Sequence, residues 1–447
     1  MSTIEETIVP AATTEETRAE VIEQRSRNLT GIVRDVWLPY LGTRIVLVLI
    51  GIMADFYLLP VMKSNPIEPS VPLNTQFPQL LWLMWRRFDA GFYIDIAEHG
   101  YWAASTLNTA SNWIFHPLYP LLIFPFGYLF GGSDAAFDIG AVLVSNVAGL
   151  IAITYLYLLV RREFNSQIAA RTIFYLALFP TSFYLSAAFS ESVFLACAVM
   201  CIYYARQHRW WLAGICGGLG SLARIQGLAL LIPVIWEYWQ VLSEQYAPLP
   251  DMQHMTGVEK GRAWLYSRTS GLLVAAKGFR NWLHLVALSL IPLGLVPFFI
   301  YSQIQTGDFL ASIHNHSVGW DRQVSNPVRL VLSSIIHPLA PNAMEWNFWA
   351  LNMVMIFVFI GFTIWAFRSL PIIYALYTFV MMVMPLSTGS IKSISRYYLI
   401  IFPAFMLLAL WSSRGKSVER NFSIVSLFAP VMAICMVFFV LGLPLIA

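Results

Sequence analysis

The chain has 447 residues, 58% of them hydrophobic and only 11% charged, whereas a soluble domain carries roughly 25% charge; this excludes a soluble globular protein and indicates an all-α polytopic membrane protein. Its net charge of +3 is small and dispersed, which excludes a nucleic-acid partner and leaves Lys and Arg to be read for topology. The cysteines, Cys197, Cys201, Cys216 and Cys435, lie inside apolar runs as small packing residues, not as a disulfide or zinc framework.

The first 30 residues are rich in Glu, Thr and Ala and lack an apolar core, so no cleaved signal peptide is expected there. Residues 1–33 are expected to be a disordered cytoplasmic tail, and 34–447 a single transmembrane domain. Crossing roughly 30 Å of hydrocarbon takes about 20 apolar residues. Spans are expected at about 36–60, 138–160, 168–187, 190–206, 281–302, 346–367, 370–388, 397–413 and 424–445. The stretch 116–132, with Pro117, Pro120 and Pro125, reads as a short span or a re-entrant piece. The run 210–241 is too long for one span, and Arg224 interrupts it.

Short loops rich in Lys and Arg prefer the cytoplasm. Arg25, Arg27 and Arg34 then place the N-terminus inside, and residues 61–115 and 303–345 form outer loops. Arg161 with Arg162, Arg206 with Arg209, the run Lys260 to Arg280, Arg368, and Arg414 with Lys416 all fall inside if 210–241 crosses twice and 116–132 does not fully cross. Arg224, Lys392 and Arg396 are left at the outer ends of helices, against the rule, as expected of residues held there by a function. No internal repeat is evident, which weighs against a transporter or flippase of a lipid-linked or anionic substrate, the alternative class.

In the first outer loop, Trp82, Trp85, Asp89, Phe92 and Ile96 recur at spacings of three and four, predicting one amphipathic helix over 78–100 that lies along the membrane surface. A carboxylate on its aromatic stripe is costly and needs a partner or a task. Asp89 is therefore the candidate general base, with a local salt bridge to Arg86 or Arg87 as the plainer expectation. Asp95 lies about 240° around the helix from Asp89, so the two do not converge. Asp95, Glu98 and His99 are assigned to a solvated, hydrogen-bonding face.

The segments "FDAGFYIDIAEHGYW" and "FHPLYPLL", followed by "FPTSFYLSAAFSESVFLA", "LARIQGL" and "SRYYLIIFPAF", resemble in order the signature elements of the PIG-V mannosyltransferases, members of the GT-C superfamily. Phe88 stands where that family usually has Trp, and Ile225-Gln226 where it has Ser-Asn. The resemblance implies a GT-C-type bundle of about 10–12 transmembrane helices. It also implies an inverting transfer of a mannosyl unit from a polyprenyl- or dolichyl-phosphate donor to a glycolipid or other hydroxyl acceptor, in a bacterial plasma membrane or the endoplasmic reticulum. Asp89 would be the base. Arg396, Arg224 and Lys392 would bind the donor phosphate, since guanidinium grips phosphate through paired N–H groups. Tyr93, Tyr101, His116, Ser190, Glu191 and Tyr397 are the further candidate substrate contacts, Glu191 with Ser190 serving equally well as a helix N-terminal cap.

No cofactor is expected. His314, His316 and Asp321 in "HNHSVGWD" are too sparse for a metal set. Gly214, Gly217, Gly218 and Gly220 follow no strand, as a nucleotide loop would require, and suit close helix packing.

Overall fold

The computed structural model describes residues 30–58, 77–102, 111–248, 256–275, 278–317, 322–336 and 343–443. Every regular element among them is helical, the form in which an apolar chain satisfies its own backbone. The expected tail lies largely outside the described residues, as do 59–76 and 103–110 of the first outer loop.

The first long helix, α1 (Thr30–Leu58), is followed by α2 (Leu80–Leu83) and α3 (Ala90–His99). The single helix predicted over 78–100 is thus divided. The chain turns between Met84 and Asp89, and Phe88 takes a left-handed φ of 54°, which no helix of L-residues continues through. The spacing of four from Trp85 to Asp89 bridges the break by coincidence.

Next come α4 (Leu118–Leu129), α5 (Asp134–Glu163), α6 (Ser166–Leu178), α7 (Glu191–Ala205), α8 (Trp210–Ala223) and α9 (Leu231–Tyr246). Asn165 caps α6 by accepting from the Ile168 N–H at 2.9 Å, so a two-residue link makes α5 and α6 neighbours. Helix α7 is buried almost all round, as a helix apolar on every side must be. Arg224 breaks the run 210–241 in extended conformation, dividing it where expected. Residues Ile225–Leu230 form a 3-10 turn before α9.

The glycines of α8 bring backbones together. A Cβ on Gly214 would collide with the Ala287 carbonyl, and one on Gly218 would lie 2.6 Å from the Leu290 carbonyl oxygen. Both partners belong to a later helix, reached through α10 (Gly257–Ala275): this is α11 (Phe279–Leu293), continued by α12 (Val296–Thr306). Short α13 (Ala311–His314) and α14 (Pro327–Ile336) precede α15 (Ala343–Ser369) and α16 (Ile372–Leu386). The chain ends in α17 (Ile394–Tyr397), α18 (Pro403–Ser412) and α19 (Ser417–Val440). The segment Ile394–Ile400 meets α18 at a bend of 74°.

Six helices among the described residues are long and apolar enough to cross a bilayer, seven if the bent pair counts as one span. The chain is a multi-pass integral membrane protein. Helices α4, α7, α8, α14 and α16 are apolar but of 10–17 residues, short of the roughly 20 a full crossing takes. The expectation of 10–12 spans counted such pieces as complete crossings.

Charge collects at the two ends of α7. Past its C-terminus, Arg206 makes paired bonds to Glu163 at 2.8 and 2.9 Å and a third to Glu237 at 2.5 Å, tying α5 to α9. At its N-terminus stands Glu191, buried among the residues described next.

Candidate functional site

A chamber of about 320 Å³ opens beside the N-terminus of α7, lined by Asp89, Tyr93, His116, Arg224, Gln226, His316, Arg322, Lys392, Arg396 and Tyr397 among others. Each side chain arrives from a break in a helix. Asp89 is the residue before α3, Arg224 ends α8, and Arg396 lies in α17. Two of these breaks carry left-handed non-glycine residues, Phe88 at φ 54° and Ser393 at φ 66°, a conformation that costs roughly 1–3 kcal/mol and persists only where the surroundings fix it.

Asp89 accepts from Arg396 Nη1 at 2.8 Å. It pairs with neither of its neighbours: Arg86 bonds Asp138 at 3.1 Å, and Arg87 donates to the Val440 carbonyl at 2.8 Å. Arg396 Nε also faces Glu191 Oε1 at 3.2 Å, and Arg224 Nη1 approaches the same oxygen at 2.7 Å. These are charge contacts without hydrogen-bond alignment. The result is a continuous chain, Asp89–Arg396–Glu191–Arg224, spanning three helix breaks.

Glu191 and Ser190 were expected to touch substrate or to cap α7. Neither lines the chamber. The Glu191 side chain is 1% exposed and sits behind the two arginines. Ser190 occupies the cap position, yet its hydroxyl bonds Tyr93 Oη at 2.9 Å and accepts from Arg224 Nη1 at 3.0 Å rather than capping the helix. Tyr101 is also displaced from the expected place. Its ring stacks on Trp113, its hydroxyl donates to the Phe115 carbonyl at 2.6 Å, and it borders a neighbouring apolar hollow.

Tyr397 is ringed by cations: Arg396, Arg224 and Arg322 lie 5.0, 5.2 and 5.5 Å from its centroid. Arg322 further donates to its hydroxyl at 2.8 Å. Sequence reasoning did not select Arg322, although a lone arginine in an outer loop carries the same against-the-rule signal that selected Arg224. Lys392 is exposed and contributes to the chamber wall. Four cationic side chains thus share the chamber region with two carboxylates, leaving it net positive.

Asp95 accepts from Trp102 Nε1 at 2.6 Å and meets His99 at 3.1 Å, away from the chamber. His314 pairs with Asp308 at 2.8 Å, which holds that carboxyl below the usual range. Asp321 lies outside the described residues. Among those residues no group of three or more His, Cys, Asp or Glu stands close enough to hold a metal ion. Beyond the chamber, a hollow of about 620 Å³ shares with it Gln226, His316, Arg322 and Thr388.

Residues 116–249 match the family described as dolichyl-phosphate-mannose-protein mannosyltransferase. The matched stretch holds His116, Ser190, Glu191, Arg224 and Gln226, but neither Asp89 nor Arg396. Among solved structures, ArnT from Cupriavidus metallidurans in the apo state is 13% identical, with 81% of this chain and 75% of that one covered and a TM-score of 0.46. The same protein bound to undecaprenyl phosphate is 16% identical, with 90% and 77% covered and a TM-score of 0.42. An oligosaccharyltransferase from Archaeoglobus fulgidus in the apo form is 14% identical over 91% of this chain, at a TM-score of 0.41. This chain spans 56% of that protein's length. Comparison with curated protein sequences gives no match.

Proposed function

We propose that the protein is an inverting glycosyltransferase that moves a mannosyl unit from a polyprenyl- or dolichyl-phosphate donor to the hydroxyl of a glycolipid, at the outer or lumenal face of its membrane. The family match over 116–249 supports a lipid-phosphate-mannose donor, and the PIG-V-like motifs around Asp89 and Arg396 point to a lipid acceptor. One observation carries the proposal: a carboxylate faces a chamber in which cationic side chains outnumber acidic ones.

The chemistry accounts for that charge. A lipid-phosphate sugar is a phosphodiester with one negative charge. When the acceptor oxygen bonds to the anomeric carbon, the bond from that carbon to the phosphate oxygen breaks, and its electron pair leaves with the phosphate. The acceptor proton passes to Asp89. The departing monoester gains a second negative charge, and preorganised cations lower the barrier most where charge develops. Arg224, Arg322, Lys392 and Arg396 supply them, while the rings of Tyr93 and Tyr397 keep the site poor in water. Attack opposite the phosphate inverts the anomeric centre, so a β-linked donor gives an α-mannoside.

Membranes containing the protein, given radiolabelled polyprenyl-phosphate mannose and a lipid extract, should form a labelled glycolipid. Asp89→Asn should lower that rate by about 10²–10⁴, the usual worth of a positioned base. Movement of intact donor across the bilayer with no labelled product would instead identify a flippase.

A further inference from the structure

Two imidazoles face the chamber from separate elements with nothing bonded at one nitrogen. His116 enters α4 just before Pro117, is 5% exposed, and leans on Phe298 with centroids 5.6 Å apart. Its ring is hydrogen-bonded to the Ser221 backbone, and its Nδ1 is buried without a partner. His316 sits in the turn Asn315–Ser317, at the junction of the chamber and the outer hollow, and its Nδ1 is likewise buried and unpartnered. The His316 carbonyl accepts from the Arg322 N–H at 3.2 Å, which fixes the turn beside Tyr397.

Burial, with Arg224 beside one ring and Arg322 beside the other, pushes His116 down to about 3 and His316 to about 4. Both rings are neutral at physiological pH. A neutral imidazole that gives its proton to a backbone carbonyl offers its other nitrogen only as an acceptor. His116 Nδ1 therefore suits an O–H and disfavours a phosphate oxygen, which the arginines can take. The chamber thus holds cations that suit phosphate and neutral acceptors that suit hydroxyls.

We infer that His116 and His316 form the subsite that reads ring hydroxyls of the transferred hexose, His116 accepting through Nδ1 from one hydroxyl and His316 bonding a second. This rests on the transferase reading above, and it assigns to His316 a role in sugar selection.

The test compares polyprenyl-phosphate mannose with its single-position deoxy forms as donors. For wild type, at least one deoxy donor should lose roughly tenfold in kcat/KM, the worth of about one hydrogen bond. In His116→Gln, which keeps a polar group near Nε2 but not Nδ1, the parent donor should fall to the level of that deoxy form while the deoxy form itself is unchanged. His116→Asn, with an amide near Nδ1, should restore the preference. His316→Ala, in an outer turn with little packing to lose, should erase the preference at a different hydroxyl and carries the test if the His116 variants do not fold. Equal losses on every donor would overturn the inference and leave the transferase standing. If wild type transfers no sugar, both fall together.

Discussion

Arg396 donates to Asp89 at 2.8 Å across 307 positions of sequence, and its Nε lies 3.2 Å from Glu191. One guanidinium thus ties the candidate base to the buried start of α7. Its charge is already balanced by carboxylates before substrate arrives, so donor phosphate enters as a further ligand of an ordered group rather than neutralising a free one.

Arg396→Lys keeps the charge but cannot reach Asp89 and Glu191 together, because an ammonium lacks the planar fork. The KM for lipid-phosphate mannose should rise about tenfold, with a smaller change in kcat. Arg396→Ala strands two carboxylates, and breaking a buried pair costs roughly 3–5 kcal/mol, so its melting temperature in detergent should fall well below that of the Lys variant. Identical melting temperatures and identical kinetics in the two variants would show that the fork does nothing.

Glu191→Gln removes the carboxylate that Arg224 and Arg396 share. Because Glu191 lines no part of the chamber, it is a positioning residue, and its loss should raise the donor KM more than it lowers kcat. A collapse of kcat at constant KM, with loss of the acidic limb of the pH–rate profile, would make Glu191 the base and remove Asp89 from that role.

Much of this arrangement was legible because charge in an apolar sequence is conspicuous. Arg224, Lys392 and Arg396 each broke the loop-charge rule, and Asp89 stood among aromatics. The junction at Arg224 was legible too, since a 32-residue apolar run exceeds one span. Other features were not. Periodicity cannot reveal that Phe88 turns left-handed, because Trp85 and Asp89 keep helical spacing across the break. Nor does it separate a side chain that lines a chamber from one that braces it: Glu191 and Tyr101 lie in the same motifs as Asp89 and His116, and tertiary packing alone divides them. Arg322 was passed over because its loop was read for metal ligands, not for topology.

The contact between α8 and α11 should tolerate no added carbon. Gly218→Ala would press a methyl against the Leu290 carbonyl, 2.6 Å from its oxygen, and overpacking of this kind costs roughly 1–3 kcal/mol. Gly361→Ala, within α15, meets nothing within 4 Å and should be neutral or slightly stabilising, since alanine is favoured over glycine in helices by up to about 1 kcal/mol. Melting of the two variants in the same detergent checks the difference. Equal melting temperatures would mean that the helices separate readily.

Acid should unfold the protein through its buried histidines. An unfolded histidine titrates near 6.5, whereas folded His116 and His316 are held down to about 3 and about 4. Between these values the unfolded chain takes up protons that the folded chain refuses. Stability is therefore intact above pH 6.5 and declines as the pH falls toward 4, by about 1.4 kcal/mol per pH unit for each such proton. The melting temperature of the wild type should drop from pH 7 to pH 5. His116→Asn, which has no proton to gain, should show a shallower slope over that interval whatever its absolute stability. Parallel slopes would mean that His116 already carries its charge in the folded protein, and its Nδ1 would then be a donor instead of the acceptor that a sugar hydroxyl needs.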